Sequence, residues 1–125
     1  MKVIHSEKLK TTGTDWTDKA MTTGTGTYYS DPLPVRRSNG YAALLVKSSS
    51  GSLAITQEVS IDGLNWYTPY DTDGNDLGVI ASALTVTTGK WIVFNPQIGN
   101  YMRIKAVLTG ANSTVSMTYI QQEGE

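Results

Sequence analysis

The stretch Tyr101-Met102-Arg103-Ile104-Lys105-Ala106-Val107-Leu108-Thr109 decides the fold. Met102, Ile104, Ala106 and Leu108 take every second position, while Arg103, Lys105 and Thr109 take the other parity. A strand sends successive side chains to opposite faces, so this is a β-strand with one apolar face. Thr109-Gly110-Ala111-Asn112-Ser113 follows as a short, Gly-containing loop. Beyond it Val115, Met117 and Tyr119 alternate with Thr114, Ser116 and Thr118 in a strand that runs to Gln122. Two such strands joined by a tight loop are expected to pair with each other antiparallel.

The same logic extends upstream. In Ser52–Asp62, Leu53, Ile55, Val59 and Ile61 share one face, with Gln57 the single polar intruder. Asp62-Gly63 is a turn signal. Tyr41–Lys47 is a nearly continuous apolar run, the pattern of a central strand or one buried on both faces, and Ser48–Gly51 ends it. Shorter strands are expected at Asn65–Thr68, Leu77–Ile80, Leu84–Thr88 and Trp91–Asn95, with Pro69 and Pro96 as stops. Eight or nine strands with a turn signal every ~8–12 residues predict an all-β fold: a two-sheet antiparallel sandwich with jelly-roll or Greek-key connections. No fixed-period repeat is present, which argues against a propeller or solenoid.

The first third reads differently. Between residues 5 and 27 the clear apolar groups are Leu9, Trp16, Ala20 and Met21, and Thr22–Thr27 holds little to bury. Loops longer than ~12–15 residues are usually functional or disordered. Residues 1–27 are therefore expected to form an extended N-terminal arm or loop, either an ordinary long surface loop or an arm that orders against a partner, with one turn of helix near Asp15–Ala20. Residues 28–125 are expected to form the β-sandwich domain. On this reading, deleting the arm abolishes docking and leaves the sandwich folded. Pro32 and Pro34 disfavour helix and central strand at the junction.

Composition narrows the function. The 125 residues include 17 Thr and 12 Gly, and only 17% are charged, against ~25% in an average domain. Thr fits a pleated, half-solvated surface. The absence of Cys removes disulfides, thiolate zinc sites and a cysteine nucleophile. A net charge of −1, with basic residues grouped only as Arg36-Arg37 and Arg103/Lys105, leaves no nucleic-acid footprint. No stretch approaches the ~18 apolar residues of a membrane span, and Met1–Lys8 lacks a signal-peptide core. Neither a nucleic acid nor a membrane is expected as partner, and synthesis in the cytoplasm is expected.

Candidate chemistry is sparse. His5 is the lone histidine, too few for the usual zinc ligand sets or a Ser-His-Asp arrangement. Asp71, Asp73, Asn75 and Asp76 resemble a calcium loop, but Gly74 directly follows the second Asp and position 82 is Ser rather than Glu, so a polar turn is preferred. Glu58 and Asp62, four residues apart on one strand, lie ~13 Å apart at ~3.3 Å per residue, too far for either glycosidase mechanism. Gly24-Thr25-Gly26 is too short for a phosphate loop, and no helix follows it. No catalytic, cofactor-binding or metal-ligating residue is assigned, and no cofactor and no enzymatic activity are expected. The aromatics carry more. Trp16, Tyr28, Tyr29, Trp66, Tyr67 and Tyr70 are the candidate partner-binding residues, because exposed Trp and Tyr anchor interfaces or stack on sugars. Trp91 is expected in the core.

Ile61-Asp62-Gly63-Leu64-Asn65-Trp66, the loop Asp73-Gly74-Asn75-Asp76, and the closing run Asn100–Ile104 … Thr109-Gly110 … Val115–Ile120 give a pattern over residues 52–121. It resembles the small β-sandwich and jelly-roll virion proteins of tailed bacteriophages, the head decoration or cement proteins. The resemblance implies a structural protein of the virion, made in the host cytoplasm. It implies a homo-oligomer, dimer or trimer, that binds the major capsid protein or another virion protein and stabilises the head shell. A carbohydrate-binding module or tail-fibre receptor-binding domain is the alternative, motivated by Trp66, Tyr67 and Tyr70 beside the Asp/Asn-rich loop.

Overall fold

The strands on either side of the Thr109–Ser113 loop leave it in different layers. β11 (Tyr101–Thr109) pairs with β8 (Ser52–Ser60), and β12 (Ser113–Glu123) pairs with β7 (Ser38–Ser48), all antiparallel. The expected pairing of β11 with β12 is thus replaced by an arch. The cause is that both strands carry an apolar face. Placed in opposing sheets, Met102, Ile104, Ala106 and Leu108 bury against Val115, Met117 and Tyr119 in one core, while β8 and β7 supply the backbone hydrogen bonds. The turn between β7 and β8 is a second arch of the same kind. The two arches support each other: Ser49 and Ser50 donate backbone N–H groups to Ser113 Oγ at 3.1 and 3.2 Å. Gly51, at φ +74°, lies so close to the facing loop that a Cβ there would sit 2.6 Å from the Ala111 carbonyl oxygen.

The computed structural model describes residues 3–34, 38–85, 87–97 and 99–123; the Arg36-Arg37 pair lies outside them. The described residues form strands and no helix. The remaining elements are β1 (Val3–Lys8), β2 (Lys10–Thr11), β3 (Thr14–Asp15), β4 (Lys19–Met21), β5 (Thr27–Tyr29), β6 (Leu33–Pro34), β9 (Val79–Leu84) and β10 (Lys90–Phe94). One sheet has the order β1-β12-β7-β10, the other β5-β11-β8-β9. The pairs β1·β12, β5·β11, β7·β10 and β8·β9 are those of one long hairpin rolled upon itself. That is the jelly-roll arrangement of an all-β sandwich.

Strand positions follow the expected alternation where one face is apolar. In β8, Leu53, Ile55 and Gln57 are buried; the pattern ends at Ser60, and Ile61 is exposed. Gln57 is satisfied inside the sandwich. Its amide Nε2 donates to the Asn95 carbonyl at 3.0 Å, and its Oε1 accepts from the Gln97 N–H at 3.0 Å, tying the two layers together. The Tyr41–Lys47 run is central as expected: Leu44 and Val46 are buried in the core, and on the outward face Ala43 is covered whereas Leu45 is exposed. In place of the expected strands at Leu77–Ile80 and Leu84–Thr88 there is one strand, β9 (Val79–Leu84), which takes the end of the first and only Leu84 of the second.

The N-terminal third departs most from expectation. It is part of the sandwich, and no arm begins or ends at residue 27. β1 and β4 both pair with β12, together acting as one edge strand. Between them β2 and β3 bud out as a hairpin. At its base the Trp16 N–H donates to the Leu9 carbonyl (2.7 Å), Leu9 N–H to the Met117 carbonyl (3.1 Å), and Met117 N–H to the Trp16 carbonyl (3.0 Å). The hairpin turn Thr12-Gly13 has positive φ at both residues, and the Asp31 carboxylate holds it, accepting from Thr12 N–H at 2.7 Å and Gly13 N–H at 2.9 Å. Leu9, Trp16 and Met21 are fully buried in the core. The expected helical turn near Asp15–Ala20 is absent because those backbone groups pair with β2 and β12 instead.

Two outcomes follow for denaturant unfolding. Trp16→Ala removes one of the largest buried side chains and is expected to cost about 3–5 kcal/mol. A chain lacking residues 1–27 is expected to lose cooperative unfolding altogether. A truncated chain with an unchanged midpoint contradicts the N-terminal segment's place in the core.

Candidate functional site

The outward face of the β5-β11-β8-β9 sheet carries Arg103, which sits opposite Glu58 in the β11·β8 ladder, with Lys105 opposite Tyr29 on the β5 side. Arg103 Nε donates to Glu58 Oε1 at 2.7 Å. Its guanidinium lies between two rings, with Cζ 4.1 Å from the Tyr29 centroid and 4.7 Å from the Trp66 centroid. Each cation–π contact at a partly exposed site contributes about 0.5–1 kcal/mol. The stack is therefore ordered in the free protein by an ion pair and two ring contacts.

Local chemistry sets each member in place. Tyr29 is fixed by its neighbour Ser30, whose N–H donates to the Ile104 carbonyl (2.9 Å) and whose Oγ accepts from Ile104 N–H (2.9 Å). Trp66 is positioned by the turn before it. Asp62 Oδ1 accepts from Leu64 and Asn65 N–H at 2.9 Å each, and Oδ2 accepts from the Asn65 side-chain amide at 2.8 Å. Tyr67 then exchanges two backbone hydrogen bonds with Val59, which lays Trp66 alongside β8. The next turn repeats the device: Asp71 Oδ1 accepts from Asp73 and Asn75 N–H, and Oδ2 from the Asn75 amide, all at 2.9 Å. Both Asp71 oxygens serve the loop's own backbone and amide, which is the geometry of an Asx turn.

The candidate aromatics separate into groups. Tyr29 and Trp66 are brought together through Arg103. Tyr67 and Tyr70 stand on the adjoining loop, 64% and 61% exposed. Tyr28 turns towards the core, its hydroxyl accepting from Thr22 N–H at 2.8 Å. Trp16 is inside the core and cannot meet a partner at the surface. Its indole N–H donates to Thr11 Oγ1 at 2.8 Å. Its apolar bulk outweighed every other option for the segment around it.

Trp91 is the reverse case. Expected inside, it is 59% exposed, and Val93 is 66% exposed. The strand Lys90–Phe94 is apolar on both parities, and the core takes Ile92 and Phe94, the latter beside the Tyr119 ring at 6.2 Å. Trp91 and Val93 accordingly face outward on the β1-β12-β7-β10 sheet. With Ile4, Ala43 and Ile120 they line a shallow hollow of about 170 Å³. Alternation in Tyr101–Thr109 placed Arg103 outside, but its ring partners come from residues 29 and 66, distant in the chain.

His5 sits half-buried in β1 opposite Gln121. Among the described residues no three or more His, Cys, Asp or Glu side chains converge in a way that could hold a metal ion. Glu58 and Asp62 are engaged, the first with Arg103 and the second with its own turn. No helix among the described residues is long and apolar enough to cross a membrane.

No protein-family model and no curated protein sequence matches the chain. Among solved structures it is similar to the SPBc2 prophage-derived protein YomS, at 15% identity and a TM-score of 0.48, over 97% of this chain and 96% of the other. It is also similar to chains in structures of infectious bursal disease virus. For the Gx strain the identity is 13% and the TM-score 0.44; for the Gt strain they are 12% and 0.39. The match covers 98% of this chain and about a third of each virus chain, 32% and 30%.

The two Asx turns carry a pH signature. The Asn65 N–H, then the Leu64 N–H, hold the Asp62 carboxyl well below the ordinary aspartate range, and the Asn75 amide and N–H lower that of Asp71. Both folded values lie below the unfolded value of about 3.9. The contribution of each turn to stability is thus complete above that value and is lost as the pH falls through the folded one. Carboxyl-carbon NMR titration is expected to give depressed midpoints for Asp62 and Asp71, with loop amide shifts moving in step. An ordinary midpoint at Asp62 contradicts the turn geometry.

Proposed function

We propose that this chain is a non-catalytic structural protein of a virion, a capsid decoration or cement protein that acts as a homo-oligomer, dimer or trimer, and stabilises a phage head shell through protein–protein contact. The observation that carries the reading is the Tyr29–Arg103–Trp66 stack. Tyr, Trp and Arg dominate the energetics of protein interfaces, and groups already ordered before binding lose less entropy on docking. Glu58 neutralises Arg103 in the free state, so the patch presents flat aromatic surface and a guanidinium edge, with Lys105 beside Tyr29. Tyr67 and Tyr70 extend it with exposed rings on an adjacent loop anchored by Asp71.

A carbohydrate-binding or tail-fibre receptor role is the competing reading. It rests on Tyr67 and Tyr70. Trp66 favours it less, because Arg103 already occupies one of its two ring faces.

Co-sedimentation with phage heads separates the two. Wild-type protein is expected to pellet with the shells, and Arg103→Ala or Trp66→Ala is expected to weaken binding at least about 30-fold, the scale of a hot-spot residue. Full binding by both variants removes the stack from the mechanism. Glycan-array binding, with quenching of tryptophan fluorescence by a sugar and no shell association, replaces this reading with the competing one.

A further inference from the structure

Both sheets end on the same side of the sandwich in strands without an outer neighbour. Among the described residues β10 pairs only with β7, and β9 only with β8. The chain joins β9 directly to β10 through residues 85–89, so the two open edges lie one above the other. Exposed edges are normally blunted by a bulge, a proline, or a charge within the strand. β9 is blunted in this way, since its register against β8 shifts twice. β10 has neither bulge nor proline, and its one charge, Lys90, stands at its first residue and leaves the four that follow uncharged. Its register against β7 is continuous from Lys90↔Val46 to Phe94↔Ala42, and Trp-Ile-Val-Phe are all strand formers. Its outward side chains, Trp91 and Val93, are also among the most exposed large apolar groups on the molecule.

We propose that β10 is the seam of a two-fold dimer, in which a second copy of this chain adds its own β10 antiparallel about an axis at Ile92. The strand is self-complementary in that register. Trp91 of each copy lies opposite Val93 of the other, an aromatic–β-branched pair of the kind that stabilises neighbouring strands. Each Lys90 lies opposite Phe94 of the other copy. The two lysines are therefore about 13 Å apart along the seam, four residues at ~3.3 Å, and no like charges face each other. The seam makes one continuous eight-stranded sheet from two four-strand paths and brings the two β9 edges together beneath it. Five paired residues with one apolar cluster give an interface at the small end of the range, below ~1,200 Å² in total. The dimer accordingly dissociates on dilution. This deepens the homo-oligomer reading above by naming its surface and its order.

Sedimentation equilibrium of the full chain, from low-micromolar to near-millimolar concentration, is the test. The wild-type mass is expected to rise from 13.5 kDa towards twice that value. Val93→Lys is expected to stay monomeric throughout with an unchanged circular dichroism spectrum. Ile4→Lys, on the outward face at the opposite edge of the same sheet, is expected to dimerise as wild type does. A monomeric wild type, a trimer, or an undiminished Val93→Lys dimer overturns the seam. Loss of the dimer in Ile4→Lys also overturns it, since that marks face-to-face stacking. Should Val93→Lys fold poorly, hydrogen exchange of wild-type β10 amides decides: protection that grows with concentration supports the seam, and protection that does not overturns it. Shell binding retained by a monomeric Val93→Lys leaves the docking stack intact, and shell binding lost with the dimer intact counts against the docking reading alone.

Discussion

The closure of Leu9 and Trp16 onto Met117 is the constraint on which the rest of the structure depends. Two backbone hydrogen bonds to Met117, a third between Trp16 and Leu9, and two fully buried side chains fix the N-terminal segment against β12. Without them β12 would lose its outer neighbours over both β1 and β4, and the open end of the core would be exposed to water. The β2–β3 hairpin is the consequence of this closure. The edge strand must pass Met117 with both Leu9 and Trp16 directed inward, and the residues between them have no place in the ladder. They leave it as a hairpin that Asp31 then clamps.

The outward surfaces follow from how the core is filled. Once β11 and β12 occupy opposing sheets, the polar parity of β11 must face out, and Arg103 has Glu58 directly opposite it and Tyr29 across the neighbouring ladder. The Asp62 turn then delivers Trp66 to the other side of the guanidinium. On the second sheet the inner positions of β10 are taken by Ile92 and Phe94, which leaves Trp91 and Val93 outside beside an edge with no outer strand among the described residues. One face is thus a preorganised aromatic–guanidinium patch. The other ends in a strand whose only charge, Lys90, lies at its start and which has no bulge or proline against further pairing.

The alternation in Tyr101–Thr109 and Thr114–Gln122, and in Ser52–Asp62 as far as Gln57, named the inward residues of β11, β12 and β8, because a strand offers only two faces and water decides between them. It failed at the end of β8, where Ser60 is buried and Ile61 exposed. The same alternation placed Arg103 outside. It also flagged Gln57 as an anomaly, explained by its two hydrogen bonds to the segment after β10. The aspartate turns were readable for a similar reason: Asp and Asn satisfy backbone groups two to four residues away, so their geometry is local.

What the chain could not disclose is which strands become neighbours. A turn such as Thr109–Ser113 serves a hairpin or an arch equally well, and the choice rests on whether two apolar faces gain more by lying side by side or by facing each other. The burial of Trp16 and the exposure of Trp91 have the same origin. The core has finite volume, and its shape is set only when all layers are assembled. A tryptophan in a polar segment is drawn in where a gap requires it, and one in an apolar strand is left out where smaller neighbours already fill the space. Face and turn are properties of a few consecutive residues; partner strand and occupancy of the core are properties of the whole molecule.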